Sequence, residues 1–83
     1  MTVEVPLLEV LACRMGCEYV SDLRFLPWGG RARLALEVER IQPQEASLPE
    51  WNDALSYLTG AGPEETAGRA RGSLAALLRR HGR

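Results

Sequence analysis

The sequence predicts an all-α domain of four to five short helices, and three observations point there. Apolar residues recur at three- and four-residue spacing in most segments. Pro or Ser before those segments and Gly after them supply helix starts and stops. The connections left over are short, as they are between packed helices.

The first helix is expected over Pro6 to Met15. Leu7, Leu8, Leu11, Ala12 and Met15 share one side. Pro6 suits a first turn, where a missing N–H costs nothing. Gly16 is placed as the left-handed residue that ends the helix. After Cys17-Glu18-Tyr19-Val20, Ser21 reads as an N-cap with Asp22 in the favourable first turn. Val20 and Phe25 are spaced as a hydrophobic staple. Pro27 and the pair Gly29-Gly30 stop this second helix.

Residues 31–41 admit two readings. On a helix, Leu34, Val38 and Ile41 share a face; on a strand, Ala32, Leu34, Leu36 and Val38 do. The residue types (Ala, Leu, Arg, Glu) favour the helix. A strand needs a partner. That leaves, as the α+β alternative, a β-hairpin around residues 23–40 or a pairing with Thr2–Val5. The helix is preferred.

Residues 42–46 form a linker. Ser47-Leu48-Pro49-Glu50 has the form of a capping box. Trp51, Ala54, Leu55 and Leu58 follow on one face, and Gly60 closes the helix. Pro63 is expected to open the last helix. Glu64 and Glu65 then sit near its start and Arg79 and Arg80 near its end, which suits the helix dipole. Ala67, Ala70, Leu74, Leu77 and Leu78 make its apolar stripe. Gly68 and Gly72 either weaken it or let a neighbouring helix come close. His81-Gly82-Arg83 reads as a frayed end. The expected core is Leu11, Met15, Phe25, Val38, Trp51, Leu55, Leu58, Leu74 and Leu77.

With 83 residues, the chain is read as one domain, residues 1–83. A domain of that size buries only about 60–65% of the surface its unfolded chain exposes. Apolar surface is therefore available for a second copy or a partner. The composition, 46% hydrophobic and 25% charged, excludes a disordered chain. No apolar run approaches the roughly 20 residues that span a bilayer. The start of the chain lacks the pattern of a secretory signal, so a cytoplasmic location is expected. A net charge of −1 excludes a global pull toward nucleic acid or anionic membrane. That charge is uneven: residues 1–60 sum to −4 and residues 61–83 to +3. All 10 basic residues are arginine, which reads as a GC-rich coding bias because it covers every basic position.

Little in the sequence suggests chemistry. Cys13 and Cys17 stand four apart, unlike the C-x-x-C of zinc ribbons and redox enzymes. With one histidine they are too few for a closed zinc site. Both are expected to be small buried hydrophobes, and no metal or cofactor is expected. His81, the one histidine, lies in the tail, and Ser21 and Ser47 are used as caps. The carboxylate pairs Glu37/Glu39 and Glu64/Glu65 lack the burial that tunes an acid catalyst. Gly29-Gly30 and Gly60-Ala61-Gly62 match no phosphate-binding fingerprint. No catalytic residue is assigned, and the chain is not expected to be an enzyme.

Interaction is what remains. Trp28, between Pro27 and Gly29, suits an interface anchor or a lid over the core. Arg69, Arg80 and Arg83 share a side of the last helix and form a basic stripe. These four are the candidate interaction residues. The expected function is a small intracellular protein-interaction module. Its acidic body is expected to pair head to tail with the basic last helix of another copy. The alternative is a small helix-turn-helix DNA-binding regulator using residues 8–26, with Gly16 as the turn glycine and Ser21–Leu26 as second helix. Asp22 falls where that motif buries an aliphatic residue. Only Arg24 is left to read bases, and the local charge is acidic.

Overall fold

Among the described residues left-handed backbone appears at two glycines, and each ends a helix. Gly16 has φ +71 and Gly60 φ +75. At Gly16 the amide of Cys17 donates to the Ala12 carbonyl at 2.8 Å and that of Gly16 to the Cys13 carbonyl at 3.1 Å. This is the double bond of a Schellman ending. The structure, a computed structural model, describes residues 6–80 apart from the side chain of Trp28. The expectations for Thr2–Val5, for the end at His81–Arg83 and for the exposure of Trp28 lie outside the described residues.

Four α-helices follow in order: α1, Leu7–Arg14; α2, Trp28–Arg40; α3, Leu48–Thr59; and α4, Ala67–Arg80. Two 3₁₀ helices, Val20–Phe25 and Pro43–Glu45, lie between them. No strand occurs among the described residues, so the all-α expectation holds and residues 28–40 are helix rather than half of a hairpin. α4 lies along both α2 and α3, and α1 crosses their other side. Leu11, Leu34, Val38, Trp51, Leu55, Leu74 and Leu78 are fully enclosed between them. Trp51 sits at the centre and donates its indole N–H to the Pro43 carbonyl at 2.8 Å. The linker 42–46 is thus folded, held by the 3₁₀ turn whose carbonyl the indole needs.

α3 begins as its sequence dictates. Ser47 Oγ accepts from the Glu50 amide at 3.3 Å, and Glu50 returns to the Ser47 amide at 3.1 Å. The other Glu50 oxygen accepts from the Leu7 amide at 3.2 Å. One carboxylate therefore caps α3 and also the start of α1, which has no side-chain cap of its own. These bonds hold the Glu50 carboxyl below its ordinary range, the Ser47 amide foremost.

Several expectations are corrected. Gly29-Gly30 do not form a turn; they lie in the first turn of α2. A Cβ on Gly30 would come within 3.2 Å of the Leu26 Cβ, so the missing side chain there is where Leu26 packs. Pro63 does not open α4, which begins four residues later at Ala67. Asn52 ties down the intervening chain. It donates to the Glu64 carbonyl at 3.1 Å and accepts from the Glu64 amide at 2.9 Å. Thr66 then accepts the Arg69 amide at 3.2 Å and takes the capping role. Gly68 and Gly72 meet nothing within 4 Å, so neither admits a neighbouring helix.

The segment after α1 departs furthest. Ser21 is not an N-cap; it lies inside the 3₁₀ helix, whose cap is Tyr19. Asp22 reaches back to the Tyr19 amide at 3.2 Å. In a 3₁₀ helix residues three apart eclipse. Val20, Leu23 and Leu26 therefore turn inward together, with Leu23 fully buried. Phe25 falls on a different row and is 80% exposed, so it neither staples to Val20 nor joins the core. Met15 and Leu77 are half-buried at the core's edge.

Candidate functional site

The arginines divide into two sets by what they touch. On α4, Arg71 donates to the carbonyls of Glu39 and Ile41 at 3.0 and 3.1 Å, covering the open C-terminal end of α2. Two turns further on, Arg79 grips the Glu39 carboxylate with both guanidinium nitrogens, one at 3.0 Å. That hydrogen bond to Arg79 lowers the Glu39 pKa and, in return, raises that of Arg79. Glu37, nearly buried, lies between Arg14 at 3.6 Å and Arg40 at 3.5 Å. Arg24 stands over the Tyr57 ring at 5.1 Å. The Glu37–Arg40 pair is a three-residue spacing within α2; the other pairings do not follow from residue spacing, because each needs two elements already in place.

Of the four candidate residues, Arg69 and Arg80 are exposed on α4 and make no ion pair among the described residues. They share a side of the helix, about 16 Å apart at 1.5 Å per residue. Arg83 and the Trp28 side chain lie outside the described residues. Among the described residues the expected stripe is present as two separated arginines, while Arg71 and Arg79 on the same helix are turned toward α2.

The apolar groups that do reach solvent went unnoticed in the sequence. Tyr19 is 65% exposed, Phe25 80% and Leu36 53%. Tyr19, Asp22 and Phe25 form one outward row at the three-residue period of the 3₁₀ helix. Read at that period, instead of at 3.6, residues 19–26 would have placed Leu23 inside and Phe25 outside. Leu36 stands on the outer side of α2 beside a shallow concavity of about 480 Å³ lined by Gly29, Ala32, Arg33, Glu37 and Arg40.

Two other concavities open on the surface. One of about 240 Å³ is lined by Leu7, Val10, Arg14, Ile41, Glu45, Ala46 and Glu50. Its Glu50 and Arg14 are already engaged in the cap and in the Glu37 pair. The other, of about 370 Å³, has Glu9, Cys13, Cys17 and Glu18 in its wall. Cys13 is exposed and Cys17 half-buried, both as free thiols, so neither is the enclosed hydrophobe expected. Cys17 follows Gly16 in the Schellman ending, and Cys13 faces away from the Leu7–Leu11 side of α1. No group of three or more His, Cys, Asp or Glu is placed to hold a metal ion among the described residues. None of the described helices is long and apolar enough to cross a membrane.

The second helix of the helix-turn-helix alternative is the six-residue 3₁₀ helix Val20–Phe25. Its outward row carries Asp22, and Arg24 is turned onto Tyr57. No protein family matches the chain, and neither a curated protein nor a solved structure matches it.

Proposed function

We propose that this chain is a small, non-catalytic protein-interaction module that works by self-association. The observation that supports it is the outward row Tyr19–Asp22–Phe25. A small domain keeps an aromatic ring 80% in water while aliphatic residues of the same segment are buried. Aromatic residues left outside a core are the usual anchors of protein interfaces. The modest core of a chain this short favours completing burial against a partner. We place it in the cytoplasm, where the reducing environment keeps exposed Cys13 and half-buried Cys17 as thiols. It needs no cofactor. Duplex DNA fits this surface poorly, since phosphate would meet Asp22 and Glu18.

Sedimentation velocity over a wide concentration range, at low and moderate salt, tests this. The expected result is a sedimentation coefficient that rises with concentration, falls with added salt and is unchanged by duplex DNA. A monomer at every concentration and salt overturns it. Co-sedimentation with DNA, released by salt, would favour the regulator instead.

A further inference from the structure

We infer that the copies join head to tail, with the Tyr19–Asp22–Phe25 row of one seated on the Leu36 concavity of the next. This rests on the self-association proposed above and names its surfaces. The two patches are complementary in shape and in charge. Phe25 projects from one patch at 80% exposure. The other is a concavity of about 480 Å³ with Gly29, Ala32 and Leu36 in its wall. The space is open because Gly29 carries no side chain and Ala32 a single methyl.

Charge decides the orientation. Glu18 and Asp22, both exposed, flank the projecting patch. Arg33 and Arg40, both exposed, flank the concavity. The nearly buried Glu37 is shared between Arg14 and Arg40, so one carboxylate faces two guanidinium groups and positive charge remains in excess. Arg33 has no ion-pair partner among the described residues. Pairing either patch with the same patch of another copy would set like charges together, which disfavours that contact. Pairing one patch with the other sets Asp22 and Glu18 against Arg33 and Arg40. It also brings guanidinium groups to the Phe25 ring, a favourable cation–π arrangement. The 3₁₀ helix packs on α1 and α3, not on α2. Each copy therefore offers both patches at once. Such a contact repeats into chains or rings rather than stopping at a dimer.

Two variants test the geometry, both at exposed positions that leave the core intact. Phe25→Arg destroys the projecting patch and keeps the concavity. Leu36→Gln destroys the concavity and keeps the projection. Each alone is expected to weaken self-association by more than about tenfold, with an unchanged helical circular dichroism spectrum. Mixed one to one, they retain a single intact pair of surfaces, and a 1:1 heterodimer is expected in sedimentation velocity. If the unmodified chain associates but either variant associates as well as it does, these surfaces are wrong while self-association stands. If both variants are monomeric and their mixture stays monomeric, a single contact of these two surfaces does not join two copies and the head-to-tail arrangement fails. If the unmodified chain is itself monomeric throughout, the underlying proposal fails too.

Discussion

Along the seam between α2 and α4, Arg71 and Arg79 reach across to the Glu39 and Ile41 carbonyls and the Glu39 carboxylate. At the other end of the chain, the 3₁₀ helix Val20–Phe25 keeps Leu23 inside and turns Asp22 and Phe25 to solvent. Both regions join polar and apolar residues in short stretches. They differ in what the backbone leaves to be satisfied. The last carbonyls of α2 lack partners within their own helix, and a long arginine on the neighbouring helix supplies them. The 3₁₀ helix is closed by its own Asp22 and is too short to bury two of its three rows. One region uses its side chains to finish the fold, and the other has them left over for contact.

The largest effect expected is in the core on which both regions rest. Trp51→Ala removes the fully buried indole and its bond to Pro43, and should cost about 3–5 kcal/mol in urea unfolding. A loss under about 1 kcal/mol would mean that the core does not depend on this residue.

Next comes Arg71→Ala, which leaves two carbonyls at the end of α2 without their charged donor. It should cost about 1–2 kcal/mol, and Arg71→Lys should recover part of it. Equal losses in the two variants would show that packing of the side-chain stem, not the hydrogen bonds, matters.

Glu50 sharpens the comparison through pH. Its folded pKa is lowered, so its stabilisation is full above the unfolded carboxyl value, about 4.3. It is lost as pH falls through the folded value. Glu39 acts in the same direction through Arg79. Urea midpoints measured from neutral to acid pH should fall less steeply for Glu50→Gln than for the unmodified chain; parallel curves would remove Glu50 from the acid transition.

The smallest effect on stability belongs to the second region. Phe25→Ser should change the unfolding free energy by no more than about 0.5 kcal/mol while still weakening self-association. A clear loss of stability would show that the ring packs on the fold after all.

Much of the fold is legible in the residues. Ser47 with Glu50, the face Trp51–Ala54–Leu55–Leu58 and the left-handed Gly60 define α3 within a few positions of each other. Gly16 likewise ends the first helix unaided. The helical choice for residues 31–41 follows from residue type, with Leu34, Val38 and Ile41 buried together on one face. The candidate site was much less legible. Arg69 and Arg80 are exposed, but nothing in residue spacing showed that Arg71 and Arg79 on the same helix turn to α2. The aromatic row at Tyr19–Phe25 follows the three-residue period of a 3₁₀ helix, which a 3.6-residue pattern does not show.

Sequence by itself determined where α1 and α3 lie and how they end, because caps, glycine stops and apolar spacing act within one or two turns. Only the tertiary structure decided where α4 begins, since Asn52 on α3 occupies both backbone groups of Glu64, just after the proline that would otherwise open the helix. It also decided that Glu50, which caps its own helix, reaches the Leu7 amide 43 residues away in sequence, and which arginines are turned inward. Those outcomes depend on donors and acceptors that become neighbours only when the helices are packed, and no local pattern of residues records that proximity.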